Sequence, residues 1–312
     1  MADLPTVELH LDPDPATSSD ALVRGITHRR FLGEYADPEL AAEAGRAWAE
    51  QVLPRARLLH VRSENGHQHS HQHGHVWLVG QGDDLSVLSL TLDDHQLAPV
   101  VRELVLDLAR AEGFRRLTLG VAPGDPALER FVHGRHFEIA AFQMRLDLDH
   151  ALPDEDLLEL VPMDQATYDA YLAHCTEEYA RAREKAGETH ERAQQIAHEQ
   201  MAALLPDGLA SDDHHFFSGT VRGEPVGTLW LGTERPMAFV YDVVVDEAHR
   251  RCGYGGALMR AGALWSRDRG AHALGLNVFG YNHGAKALYD QLGYHVVEEF
   301  AAHTLDEAGS DA

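Results

Sequence analysis

Cysteine and lysine are nearly missing from this 312-residue chain. It has two of the first, Cys175 and Cys252, and two of the second, Lys185 and Lys286. Two thiols far apart in sequence give no disulfide framework and fit a reducing compartment. The lysine shortage beside plentiful arginine fits a GC-rich coding bias better than any mechanism. No apolar run approaches the roughly 20 residues that span a membrane. The acidic opening "MADLPTVELHLDPDP" lacks the apolar core of a signal peptide. These absences predict a soluble, cytoplasmic protein with no membrane partner. Positive charge is also scarce: 26 basic against 50 acidic residues give a net −24. Such a surface repels nucleic acid and anionic lipid and draws cations, although solubility alone accounts for it.

A 44% hydrophobic content suits one large domain or two of about 150 residues each. The pattern favours two. "TVELHLD" reads as a strand, followed by helices in "SSDALVRGITHRRFLGEY" and "DPELAAEAGRAWAEQVL". Then come strands "ARLLHVRS", "HVWLVGQG" and "DLSVLSLTLD", helix "APVVRELVLDLARAEG", strand "FRRLTLGV", helix "DPALERFVHG" and strand "HFEIAAFQMRLDL". The second half repeats the order β-α-α-β-β-β-α-β-α-β. One gap-free offset of 157 residues sets Arg110 on Arg267, Gly113 on Gly270, Leu119 on Leu276, Val121 on Val278 and Phe137 on Tyr294. The reading is a duplication, with domains at 1–149 and 158–312 and a linker at 150–157.

The stretch "HRRCGYGGALM", His249 to Met259, lies between strand "AFVYDVVVD" and helix "GGALMRAGALWSRDRG". Strand, glycines and helix N-terminus in that order make an anion site: backbone N–H groups and the helix dipole converge, and glycine permits close approach. There is no Gly-Lys-Ser/Thr ending and no G-x-G-x-x-G, which excludes the common nucleotide loops. A purely structural glycine turn stays open on these residues alone.

Arg250-x-x-Gly253-x-Gly255 resembles the coenzyme A loop of the GNAT superfamily of N-acetyltransferases, Arg/Gln-x-x-Gly-x-Gly/Ala. "NVFGYNHGAKALYDQLGY" resembles that family's second segment through Asn282, Ala285, Leu288, Tyr289, Gly293 and Tyr294. The resemblance covers roughly Glu159 to Glu299, and the first half matches in element order only. It implies an α/β protein of two tandem GNAT-like domains, each a central mixed, bulged β-sheet flanked by helices, the first copy degenerate. It further implies acetyl-CoA as co-substrate, with no metal required. Arg250, Arg251, Cys252, Gly253, Tyr254, Gly255 and Gly256 would hold its pyrophosphate. Val243, Val244 and Val245 would pair with the pantetheine arm, and Asn282 would contact it. Direct transfer to an amine needs no thiol nucleophile, so Cys252 has no covalent role.

By the same resemblance Tyr289 is the general acid for the departing thiolate. The base position that some relatives use falls on Asn277, which takes no proton, and another falls on Phe239. Asp242, a lone carboxylate in the apolar run "FVYDVVV", remains as base, water-positioning group or acceptor contact, with a satisfied structural carboxylate as the alternative. Glu177, Glu178 and Tyr179 would line the acceptor side, though a solvated helix face explains them equally. At the 157-residue offset, Arg250, Gly253 and Gly255 fall on Asp93, Gln96 and Ala98, Asn282 on Asp125 and Tyr289 on Val132. The first half would then bind no acetyl-CoA and would brace the second or wall the acceptor cleft. His67, His69, His71, His73 and His75 alternate and would share one strand face, but a hairpin tip with adventitious metal affinity suits them better. The expected activity is acetylation of a primary amine on a small molecule (a metabolite, polyamine-like amine or antibiotic), by a monomer or homodimer. Acetylation of a protein lysine or N-terminus, and a non-catalytic acyl-CoA sensor, stay open.

Overall fold

The computed structural model describes residues 5–15, 19–27, 34–35, 37–65, 69–150, 152–153, 157–185, 189–233 and 236–305. The first-half elements are β1 (Glu8–Leu11), α1 (Ser19–Ile26), α2 (Pro38–Val52), β2 (Ala56–Asn65), β3 (His69–Gln81), β4 (Asp84–Leu92), α3 (Ala98–Ala111), β5 (Arg116–Val121), α4 (Pro126–Val132) and β6 (Glu138–Asp147). The second half gives β7 (Glu159–Pro162), α5 (Gln165–Lys185), α6 (His190–Leu204), β8 (His214–Val221), β9 (Glu224–Gly232), β10 (Ala238–Val245), α7 (Tyr254–Arg267), β11 (Ala273–Phe279), α8 (His283–Gln291) and β12 (His295–Thr304). Both halves show the order the sequence predicts.

The compact units do not follow the repeat boundary. One comprises Met1–Arg145 with Asn277–Ala312, the other Leu146–Leu276. The cause is β12. Its residues 299–304 pair antiparallel with β5, and residues 295–302 pair with β6. The last helix and strand of the expected 158–312 domain are thereby grouped with the first unit. Of the expected linker, residues 151 and 154–156 lie outside the described residues.

In the first unit the strands run β1-β2-β3-β4-β5-β12-β6. β4 alternates buried and half-exposed positions, and α3 buries Val101, Val105, Leu106 and Ala109 at helical spacing. These close a core with Leu78, Leu85, Leu117, Phe131 and Ala301. A second cluster, Leu22, Leu58 and Trp77 with Val52 and Ala56, packs beneath α1 and α2.

The histidine run departs from expectation. His69 to His75 belong to β3 rather than to a loop tip, and His67 lies outside the described residues. His75 pairs with His60 and His71 with Ser63, while His73 is the extra residue of a bulge. The alternate histidines therefore do not share one face. Among the described residues no three His, Cys, Asp or Glu side chains are grouped to hold a metal ion.

In the second unit the order is β11-β10-β9-β8-β7. α7 buries Ala257, Leu258, Met259 and Ala263 and lies close on the sheet because glycines line the contact. A Cβ at Gly219 would meet Leu258 Cδ2 at 2.5 Å, and one at Gly227 would meet the Val244 carbonyl oxygen at 2.3 Å. The backbone at Val244 cannot yield without disturbing β10. Gly227→Ala is therefore expected to destabilise the fold by about 1–3 kcal/mol, read as a lower urea midpoint at unchanged m-value.

Candidate functional site

The site in the second unit begins with one residue that β9 does not match. Val240 pairs with Leu231 and Asp242 with Trp230, leaving Tyr241 as a bulge. The parallel pairing of β10 with β11 runs from Ala238 to Val240 and stops there. Beyond the bulge, Val243, Val244 and Val245 keep β9 as partner on one edge. On the other edge their backbone groups have no β11 partner, the arrangement that a ligand with amide groups can use. Val245 offers less than its neighbours, because its carbonyl accepts from Arg250 Nε at 3.4 Å.

Asp242 is the first residue after the bulge. Its Oδ2 accepts from the Tyr171 hydroxyl at 2.8 Å and lies 3.7 Å from the Cys175 thiol, both on α5. Burial pushes its carboxyl above the usual carboxylate range, while Tyr171, Cys175, His174 and the Val243 N–H act in the opposite sense. Burial and the same carboxylate push the Cys175 thiol up to about 12, and the Tyr171 phenol is raised as well. Both donors therefore stay protonated at neutral pH. Tyr171 and Cys175 are not among the site residues that the sequence motifs point to. Their i, i+4 spacing in "YLAHC" puts them on one helix face, but nothing local names the strand residue they meet. Asn277 is exposed and Phe239 is buried against Met237 and Ala273, so neither offers a base.

The loop follows. After Asp246 and a 3-10 turn at Glu247–His249, Arg250, Arg251, Cys252 and Gly253 are exposed. Arg251 has φ +63° and Gly253 φ +85°, both left-handed. Gly253 is the N-cap of α7, and no side chain caps the helix. The N–H groups of its first turn, at Tyr254, Gly255 and Gly256, have no intrahelical acceptor. Four left-handed or exposed residues leading into an uncapped helix N-terminus, with two arginines alongside, suit an anionic group.

The first half carries the same bulge. Trp77 pairs with Ser89 and Leu78 with Val87, leaving Leu88 extra, and the β4–β5 pairing stops at Val87. Ser89 thus matches Asp242, and Trp77 matches Trp230. The loop differs in length. β4 ends at Leu92, a 3-10 turn covers His95–Leu97, and α3 opens at Ala98. Between β4 and α3 the described residues hold no counterpart of Arg250–Gly253. The alignment of Asp93, Gln96 and Ala98 with the loop is thereby corrected: Gln96 lies in the turn and Ala98 begins the helix.

Asn282 is the N-cap of α8, where its side-chain oxygen accepts from the Ala285 N–H at 3.2 Å. Asp125 caps α4 in the same way, which bears out the 157-residue offset there. Tyr289 is buried on α8, its ring 5.8 Å from that of Tyr294. Glu177 accepts from Gln194 Nε2 at 3.1 Å and pairs with Arg181 at 3.2 Å. Glu178 also pairs with Arg181, and the Tyr179 hydroxyl donates to Gln200. These three side chains serve helix α5 and its tie to α6, and the structure brings none of them to Asp242.

Residues 172–294 match the family model for the Acetyltransferase (GNAT) family. YycN, an uncharacterized N-acetyltransferase of Bacillus subtilis (strain 168), is 34% identical over 43% of this chain and 90% of its own length. The chain belongs to the GNAT family. It is an acyltransferase by that membership. A second relative, the uncharacterized N-acetyltransferase YdgE of the same organism, is 30% identical over the same shares. The crystal structure of a GCN5-related N-acetyltransferase from Sphaerobacter thermophilus superposes over 97% of both chains at TM-score 0.56 and 17% identity, a likeness of fold. Among the described residues no helix is long and apolar enough to cross a membrane.

The raised carboxyl of Asp242 makes a stability prediction for this GNAT domain. Its folded-state pKa stands above the unfolded one, so the fold favours the protonated form. That stability is full below the ordinary carboxylate pKa and is lost as pH rises through the folded value. Asp242→Asn, which removes the charge and keeps an acceptor for Tyr171, is expected to raise Tm at pH 7 by about 2 °C. At pH 3 the gain should vanish. Calorimetric melts at the two pH values check both statements.

Proposed function

We propose that this GNAT enzyme moves the acetyl group of acetyl-CoA to a primary amine of a small molecule, using the second half of the chain. The observation that carries the reading is the bulged β10, whose free edge leads from a held carboxylate to an uncapped helix N-terminus. The donor set fits the co-substrate. Backbone N–H groups of Gly253 to Gly256 would take the diphosphate, with Arg250 and Arg251 adding charge. The open edge of Val243 and Val244 would take the amides of the pantetheine arm. When bound, the co-substrate supplies an activated thioester.

Asp242 accepts a proton from the incoming ammonium, directly or through one water, so that a neutral amine attacks. Tyr289 donates its phenolic proton to the departing thiolate, a role that rests on its motif position. Asn282 spends its side-chain oxygen on the cap, so only its amide N–H₂ would serve the arm. The net charge of −24 favours a cationic acceptor over an acidic one.

Thiol release measured with an amine panel, spermidine and an aminoglycoside among them, tests the reading. Turnover with lysine or N-terminal peptides and none with small amines would assign a protein acceptor instead. Saturable acetyl-CoA binding without thiol release on any amine would make the chain a sensor.

Tyr289→Phe is expected to lower kcat by about 10²–10⁴-fold with acetyl-CoA affinity unchanged. Stopped turnover and calorimetry on the same preparation give both numbers, and equal turnover at every pH would remove Tyr289 from the mechanism. Calorimetric titration of the full chain should also give one acetyl-CoA per chain, because the first half has no counterpart of Arg250–Gly253. Gly255→Glu should abolish that heat. Two comparable sites would show that the first half binds as well.

A further inference from the structure

Asp242 stands opposite Trp230 in the β9–β10 register and is hydrogen-bonded to Tyr171, and both of those residues belong to one aromatic cluster. Trp230 and Tyr241 stack at 4.8 Å, Phe216 is 5.1 Å from Trp230, and Tyr171 is 6.0 Å from Phe216. A carboxylate in such surroundings protonates or turns toward water unless donors hold it. Two side-chain donors do so, and both come from α5, one helical turn apart, beside the backbone N–H of Val243. The Tyr171 hydroxyl at 2.8 Å and the Cys175 thiol at 3.7 Å share Oδ2, and Oδ1 receives neither. α5 carries no other hydrogen-bonded tie to Asp242 among the described residues.

We propose that Tyr171 is a positioning residue for the proton transfer at Asp242, clamping Oδ2 from α5 with Cys175 as the second, weaker donor. The inference rests on Asp242 being the base. The clamp fixes the rotation of the carboxylate and favours its charged form, leaving Oδ1 clear of side-chain donors from α5 to accept the proton. Other charged and polar groups facing this cluster are His174 on α5 and the Val243 N–H on β10, which favour the charged form. Glu178, one turn beyond His174, acts on Cys175. The arrangement also makes a competent base conditional on α5 being docked.

Tyr171→Phe retains the ring that packs on Phe216 and removes only the donor. Carboxyl ¹³C NMR titration reads Asp242 without any acceptor, its signal assigned by its loss in Asp242→Asn. The midpoint should rise in Tyr171→Phe and rise less in Cys175→Ala, with Cys175→Ser close to wild type. With an amine that turns over in the panel, the acid limb of the kcat/KM profile should move in the same direction. kcat/KM at pH 7 should fall roughly tenfold, as expected for losing a hydrogen bond to a charged group. Acetyl-CoA affinity should not change. An unmoved NMR midpoint with lower activity would reduce Tyr171 to a packing residue and overturn the inference. A wild-type acid limb in Asp242→Asn would instead remove the base assignment on which it stands. Should Tyr171→Phe fail to fold, Cys175→Ala decides the question by the sign of its shift.

Discussion

β10 carries one residue more than β9 can pair, and the candidate site of the second half is arranged around that mismatch. The bulge at Tyr241 increases the local twist, so the strand parts from β11 after Val240. Two consequences follow from a single geometric event. The backbone of Val243 and Val244 is left with an open edge, and Asp242 is turned against the aromatic cluster within reach of α5. Without the extra residue, Asp242 would take the opposite face and β10 would continue alongside β11.

The bulge alone does not set the two halves apart. Leu88 repeats the bulge and β4 leaves β5 at the equivalent point. What differs is the material hung on the frame: serine for aspartate at position 89, and no loop of four residues before the helix. A helix that opens directly from a 3-10 turn has its first N–H groups at the end of a short, tight connection. Gly253 and the left-handed Arg251 instead let the chain fold back before α7, leaving those groups presented beyond it. The difference between the halves is thus one of chain length as well as of residue type.

Much of this was legible in the sequence. Strand alternation, apolar helical spacing and glycine stops set the order of elements, since each depends on neighbours within a few residues. The 157-residue offset holds where no chain was gained or lost, as at Asp125 and Asn282. It fails across β4 and β10, where the matching bulges lie 153 residues apart, because an ungapped comparison cannot register a missing loop. The Asp242 clamp was half legible: the lone carboxylate stood out against "FVYDVVV", but its donors lie some 70 residues upstream on another element. β12 was misplaced because pairing is non-local. "YHVVEEF" announces a strand and is silent about which edges it will join. Glu177, Glu178 and Tyr179 stayed ambiguous for the opposite reason: acidic and phenolic groups on a helix face suit a cationic ligand and an α5–α6 contact equally well.

The insertion of β12 between β5 and β6 also sets a timetable for synthesis. β5 leaves the ribosome with the hydrogen-bonding edge of residues 116–121 open, and its partner, residues 299–304, is made about 180 residues later. At translation rates of about 5–20 residues per second, that edge waits roughly ten to forty seconds. During that time the nascent first half is a sheet with an open edge in its interior, the situation in which strands recruit unsuitable partners. The chain's dependence on chaperones should therefore concentrate in its first half, although the proposed chemistry is in the second.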